Sequence, residues 1–214
     1  MENIKIAAIV VTYNRLGYLK ECVAALRKQT YKNMDIVVVN NGSIDGTKEW
    51  LDGEKKLIRI DQENCGGAGG FYAGMKYGYD NGYDAVWMMD DDGLPDLNQL
   101  WELVRISYKH ELDYANALLL NKDNPRQLCA GGEYNIEEYK RVEYLPGFVL
   151  PFNGTLIKRR VIEKVGFIKK EMFIWGDERE YTARVRANGF RIGTVVSAIH
   201  YHPLFKGETR SVIP

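Results

Sequence analysis

Short apolar runs rich in β-branched residues, at 4–11, 35–39, 57–60 and 85–89, alternate with helical-period segments or glycine-rich turns. Runs this short, bounded by polar turn residues, read as strands buried on both faces. Between the first two, Leu19, Val23, Ala24 and Leu26 recur at helical spacing over 16–29. A strand, a helix and a second strand in that order make a crossover unit, and such units build a parallel sheet covered by helices. The alternation therefore restricts the chain to the α/β class: a Rossmann-like, mostly parallel twisted sheet flanked by helices. Further helices are expected around 48–51, 71–79, 96–108 and 158–164, and further strands at 115–120 and 194–199. Residues 121–144 read as polar and irregular, and 147–157 as an apolar segment.

No repeat or linker interrupts the pattern, so residues 1–214 are expected to form one large domain. The final stretch, 210–214, has neither a helix stop nor a packed-strand pattern, and reads as a truncated end or a tail that needs a partner. Lys plus Arg and Asp plus Glu number 29 each, which removes the global electrostatic case for nucleic acid as the main partner. Cys22, Cys65 and Cys129 are odd in number and contain no CxxC pair, which argues against a disulfide framework or zinc knuckle. No signal-peptide pattern opens the chain, and no apolar run approaches the roughly 18–20 residues that cross a bilayer. The expected location is the cytoplasm, with at most peripheral contact on the inner face of the membrane.

The strand at 85–89 delivers Asp90, Asp91 and Asp92 side by side at its carboxyl end. In a parallel sheet, the crevice beyond those ends is where ligands bind. Closely spaced carboxylates supply the oxygen ligands that a hard divalent cation prefers, and without a cation or donors they repel one another. The alternative use is a solvated acidic turn or a helix cap. Asn64 and Gly66-Gly67-Ala68-Gly69-Gly70 allow close backbone approach to phosphate or sugar oxygens, or simply a tight strand-to-helix turn. Asp177 and Glu178 follow Phe173 and Trp175, an arrangement that suits a carboxylate base beside an aromatic surface, or an acidic first helical turn. At most one of His200 and His202 is expected to join a metal, on the reading that their rings face opposite ways.

With these pieces in order, the chain resembles family 2 glycosyltransferases of the GT-A fold. The resemblance runs from Val10-Val11-Thr12-Tyr13-Asn14-Arg15 through Val39-Asn40-Asn41-Gly42-Ser43 and Asp90-Asp91-Asp92 to Trp175-Gly176-Asp177-Glu178, nearly the whole chain. It implies an inverting transfer from a nucleotide sugar, with Mn2+ or Mg2+ as cofactor. Thr12, Tyr13, Arg15, Asn41, Asn64, Gly67, Asp90 and Asp91 would then bind the donor nucleotide, Asn41 standing where relatives often carry an aspartate that reads the base. Asp90, Asp92 and His202 would hold the metal, with His200 the rival. Asp177, with Glu178 as rival, would deprotonate the acceptor, and Trp175 would contact it.

Asn64 to Phe71 and Met89 to Asp92 look most like galactofuranosyltransferases and rhamnosyltransferases. That implies UDP-galactofuranose or dTDP-rhamnose as donor and a glycan or lipid-linked glycan as acceptor, in surface-polysaccharide or cell-wall synthesis. Such relatives often carry a further C-terminal helical region. A nucleotidyltransferase acting on sugar phosphates is the competing enzymic reading, but it calls for a glycine- and basic-rich loop where this chain has Thr12 to Gly17. A non-catalytic carbohydrate-binding module is the other.

Overall fold

The structure is a computed structural model that describes residues 4–129, 136–139, 141–147, 152–174 and 176–204. In chain order it forms β1 (Ile6–Thr12), α1 (Leu16–Lys28), β2 (Met34–Asn40), α2 (Thr47–Asp52), β3 (Ile58–Asp61), α3 (Gly66–Asp80) and β4 (Ala85–Asp90). There follow β5 (Leu94–Pro95), α4 (Gln99–Lys109), β6 (Tyr114–Asn121), β7 (Asn124–Leu128), α5 (Ile136–Tyr139), β8 (Tyr144–Pro146) and β9 (Thr155–Lys158). The chain continues through α6 (Arg159–Val165), a 3-10 turn (Lys170–Met172), α7 (Asp177–Ala187) and β10 (Ile192–His202).

One sheet runs in the order β3-β2-β1-β4-β9-β6-β10-β5, with β7 on β6 and β8 on β10. β3, β2, β1 and β4 are mutually parallel. β9 lies antiparallel between β4 and β6, and β10 runs parallel to β6. Two reversals restore the direction, so β1, β2, β3, β4, β6 and β10 all end at one edge of the sheet.

Alternate side chains of the strands enter two cores. Ile6, Ala8, Val10, Trp87 and Met89 pack with residues of α1, α2 and α4 on one face. Ala7, Ile9, Val11, Val86 and Met88 pack with residues of α3, α6 and α7 on the other. Both faces are covered, which is why the strand sequences read as unbroken apolar runs.

The sequence expectation and the structure differ at α3, which begins at Gly66 rather than near residue 71. Gly70, Gly74 and Gly78 line its inner face, where a Cβ would sit 2.4 Å from Val11 Cγ1, 2.3 Å from Ile9 Cγ2 and 2.6 Å from Val86 Cγ1, respectively. Each glycine costs the helix about 1 kcal/mol relative to alanine, offset here by close helix–sheet contact. Gly74→Ala is therefore expected to lower stability by about 1–3 kcal/mol in urea unfolding, through overpacking against Ile9. An unchanged midpoint would mean that α3 can move outward without loss.

The polar stretch expected to be irregular contains β7, α5 and the first residue of β8. The strand expected to end near residue 199 extends to His202, and its pairing with β6 shifts register between Val195 and Ile199. Past that irregularity His200 pairs with Leu119 and His202 with Asn121. Among the described residues, no helix is long and apolar enough to cross a membrane.

Candidate active site

The edge where the parallel strands end gathers the polar residues singled out in the sequence. Asp90 closes β4 beside Val11, and Thr12 closes β1 beside Asn40 of β2. The loop after β1 is tied to the loop after β2: Asn14 donates its backbone N–H to Ser43 Oγ at 3.0 Å, and Ile44 N–H reaches Asn14 Oδ1 at 2.7 Å. Asn14 adopts φ 53°, a left-handed conformation that asparagine tolerates. A cleft of about 460 Å³ opens here between Arg15, Tyr18, Glu21 and Asp45. A larger one, about 740 Å³, lies by the amino-terminal end of β2 at Met34 to Ile36, away from the carboxylates.

The three aspartates have different surroundings. Asp91 is buried; its Oδ2 accepts the Thr12 hydroxyl at 2.7 Å and its Oδ1 faces Arg15 Nη1 at 3.3 Å. Arg15 Nη1 also donates to Asp92 Oδ2 at 2.8 Å. Asp91 thus holds the Thr12 hydroxyl and the guanidinium of Arg15, and Arg15 lines the cleft. The ligand atoms of Asp90, Asp92 and His202 all lie within 4.8 Å of one another. Asp92 Oδ1 is buried without a hydrogen-bond partner, while His202 Nε2 stands 3.2 Å away, a charge contact out of line for a hydrogen bond.

Burial, then repulsion from Asp92 and Asp91, pushes Asp90 up to about 7. Burial also raises Asp91 to about 6, against the Thr12 hydrogen bond and Arg15. Burial works upward on Asp92 as well, but His202 and Arg15 together hold it below the usual carboxylate range. The His202 ring, disfavoured as a cation by burial, is nonetheless held up at about 10 by Asp92. Two crowded carboxylates, an orphaned buried oxygen and an imidazole nitrogen aimed at the same space fit a divalent cation.

Only one histidine reaches this cluster, but not for the reason expected. Residues two apart on a strand share a face, so the rings do not point opposite ways. His200 is fully buried, its Nδ1 bonded to Gln99 Oε1 at 3.0 Å and its ring filling the space where a Cβ on Gly93 would stand, 2.1 Å from Nε2. Burial lowers it to about 3, leaving a neutral packed ring. His202 Nδ1 lies 2.6 Å from the Pro203 carbonyl, which can only accept, so Nδ1 carries the proton and Nε2 turns toward Asp92.

Asn41 is the expectation that the structure replaces. Its Nδ2 donates to the Gly66 carbonyl at 2.9 Å and Asn64 Oδ1 at 3.2 Å; its Oδ1 accepts from Gln62 Nε2 at 2.8 Å and Cys65 N–H at 3.2 Å. Two donors and two acceptor positions are the whole capacity of an amide, and the side chain is buried. Asn41 therefore clamps the turn into α3, with its hydrogen-bonding positions filled from within the chain. Asn41→Ala is expected to cost about 1–3 kcal/mol in denaturant unfolding, because it strands buried groups. A base reader would instead shift nucleotide preference at unchanged stability.

The α3 amino terminus is likewise largely occupied. Gly66 N–H goes to Asn64 Oδ1 at 3.0 Å and Ala68 N–H to the Phe173 carbonyl at 3.1 Å. Gly67 alone in this turn faces open space where its Cβ would be. Tyr13 is half-exposed.

Asp177 is the first residue of α7, 5% exposed, entered through Gly176 at φ 94°. Burial, then Glu178 beside it, raises its carboxyl to about 7. The Tyr114 and Thr182 hydroxyls, 3.1 Å apart, and Tyr181 Oη on the Gly166 carbonyl at 3.2 Å fix α7 on the sheet. Trp175 lies outside the described residues. Sequence reasoning missed Asn153, whose Oδ1 accepts the Asp90 backbone N–H at 3.3 Å, and Cys129, whose thiol donates to the His202 carbonyl at 3.2 Å. The dipeptide Asn153-Gly154, a turn signal, was the available cue for the first; nothing marks Cys129.

The family model described as glycosyl transferase family 2 matches residues 7–166. The galactofuranosyltransferase GlfT1 of Mycolicibacterium smegmatis is 28% identical over 97% of this chain and 74% of its own length. S. aureus TarS 1–349, solved in complex with UDP-GlcNAc, superposes with a TM-score of 0.72 at 17% identity, covering 99% of this chain and 62% of that one. The mannosyltransferase PcManGT of Pyrobaculum calidifontis, solved with GDP-Man and Mn2+, gives 0.70 at 17% identity, covering 96% of this chain and 59% of that one. The chain thus spans about three fifths of the length of each solved relative. The expected fold, a mostly parallel α/β sheet of the GT-A type, is the one found.

Proposed function

Because the chain belongs to glycosyl transferase family 2 and is a nucleotide-sugar glycosyltransferase by that membership, we propose that it moves galactofuranose from UDP-galactofuranose to a glycan acceptor, with inversion and with a divalent cation bound. The observation that carries this reading is the convergence of Asp90, Asp92 and His202 around a buried carboxylate oxygen that lacks a hydrogen-bond partner, with Asp92 bonded to Arg15, which walls a cleft. The galactofuranose preference rests on the likeness to GlfT1, which extends over nearly the whole chain; dTDP-rhamnose is the next donor to test. A role in cell-wall or surface-polysaccharide synthesis, with a glycan or lipid-linked glycan as acceptor, goes with that donor.

When bound, Mn2+ or Mg2+ would supply positive charge against the diphosphate leaving group. Asp90, Asp92 and His202 would hold it. Thr12 and Arg15, fixed by Asp91, line the nucleotide side, with Tyr13, Asn64 and Gly67 on the rim. Asp177 takes the proton from the acceptor hydroxyl as that oxygen attacks the anomeric carbon from the side opposite the diphosphate. One base and no enzymic nucleophile are needed, so inversion follows.

Calorimetric titration with UDP and, separately, dTDP, each with manganese and then with EDTA, tests the donor assignment. Metal-dependent binding of UDP in preference to dTDP is expected. Equal binding with EDTA would remove the cation from the account, and preference for dTDP would move the donor to rhamnose.

A further inference from the structure

The turn that opens α3 is pinned from two sides. From the donor side, Asn41 at the end of β2 holds the Cys65 N–H and the Gly66 carbonyl. From the acceptor side, the Phe173 carbonyl accepts the Ala68 N–H at 3.1 Å. A Cβ on Gly66 would stand 2.0 Å from that carbonyl oxygen, 2.5 Å from its carbon and 2.8 Å from Phe173 Cγ, so only glycine lets the two segments meet. Gly66 itself has φ 70°. Phe173 adopts φ 60°, ψ −68°, the centre of a γ-turn closed by the Ile174 N–H on the Met172 carbonyl at 2.7 Å, a rare conformation that a bulky residue keeps only when its surroundings enforce it. Asp177 follows four residues later, through the left-handed Gly176.

Resting on the transferase reading above, we propose that this contact is a positioning device: the Gly66–Ala68 turn, set by Asn41, holds Phe173 and through it places Asp177 against the donor. Neither Gly66 nor Phe173 touches reacting atoms in this account; both act through Asp177. The donor-side loop and the base helix then move as one unit, so occupancy of the donor cleft and placement of the base are coupled.

Gly66→Ala pushes the Phe173 carbonyl away. Ala68→Pro removes the N–H that the carbonyl accepts, in a helical turn that tolerates proline. Both are expected to lower kcat for transfer by about 10²-fold, the cost of misplacing a catalytic group by about an ångström. UDP with manganese should still bind, though more weakly because the coupling is lost, and the midpoint of the rate–pH profile should move, because Asp177 changes surroundings. Variants that fold, bind UDP normally and keep the wild-type rate and midpoint would overturn the proposal. Should neither variant fold, hydrogen exchange on the unaltered protein decides: UDP with manganese should slow exchange across α7, and unchanged exchange there would overturn it. A wild-type protein that binds UDP but transfers no sugar would contradict the transferase reading instead.

Discussion

Asp177→Asn is expected to lower kcat by about 10²–10⁴-fold, the usual contribution of a positioned general base, while leaving UDP affinity within about threefold. The substitution keeps size and hydrogen bonding but removes the ability to take a proton. Its helix is anchored by Tyr114, Thr182 and Tyr181, none of them among the groups that would grip the nucleotide. The wild-type carboxyl is raised to about 7, by burial first and Glu178 second, and a base must be deprotonated to act. The rate should therefore fall as pH drops through about 7 and level off above it. The asparagine variant should lose the part of this dependence that Asp177 carries, leaving only what the metal-holding carboxylates contribute. Glu178→Gln is expected to shift the midpoint downward, because it removes the charge that adds to the upward push on Asp177. If instead Glu178→Gln abolished turnover and Asp177→Asn did not, the two carboxylates would exchange roles.

His202→Ala is expected to weaken manganese binding by more than about 100-fold, beyond the 10–100-fold usual for losing only an outer-shell partner. Asp92→Asn should do the same, because it removes the charge of the oxygen that faces His202 Nε2. His200→Ala should leave manganese affinity within about threefold and act on stability, since it vacates a packed site and strands Gln99. Titration of manganese followed by electron paramagnetic resonance reads the metal independently of turnover. Equal losses from the two histidine variants would mean that His200 also reaches the cation and that its burial against Gly93 is relieved when metal binds.

Much of this site was legible before the fold was known. The strand ending in Asp90-Asp91-Asp92 announced both its own burial and the crevice beyond it, because apolar runs of that length admit few alternatives in a crossover sheet. The division of labour among the three acids was not legible: only the fold brings the Thr12 hydroxyl and the Arg15 guanidinium, more than seventy residues away, onto Asp91. Asn41 misled because its position at a strand end suits a base reader, whereas its four hydrogen-bonding positions are filled by Gln62, Asn64, Cys65 and Gly66. The glycine cluster suggested phosphate contact or a tight turn, and in it Gly66, Gly69 and Gly70 are explained by Phe173, Cys65 and Val11 packed against them, while Gly67 faces open space. β9 was invisible because its run merges with the apolar segment before it, and strand and helix cannot be told apart over so few residues.

Incubation with UDP-galactofuranose, manganese and a glycan acceptor, followed by chromatography of nucleotides and mass spectrometry of the acceptor, addresses the central claim most directly. The account predicts UDP release matched by an acceptor heavier by one hexose, both abolished by EDTA. Release of UMP or pyrophosphate, or an unchanged acceptor in the presence of every donor tested, would contradict it.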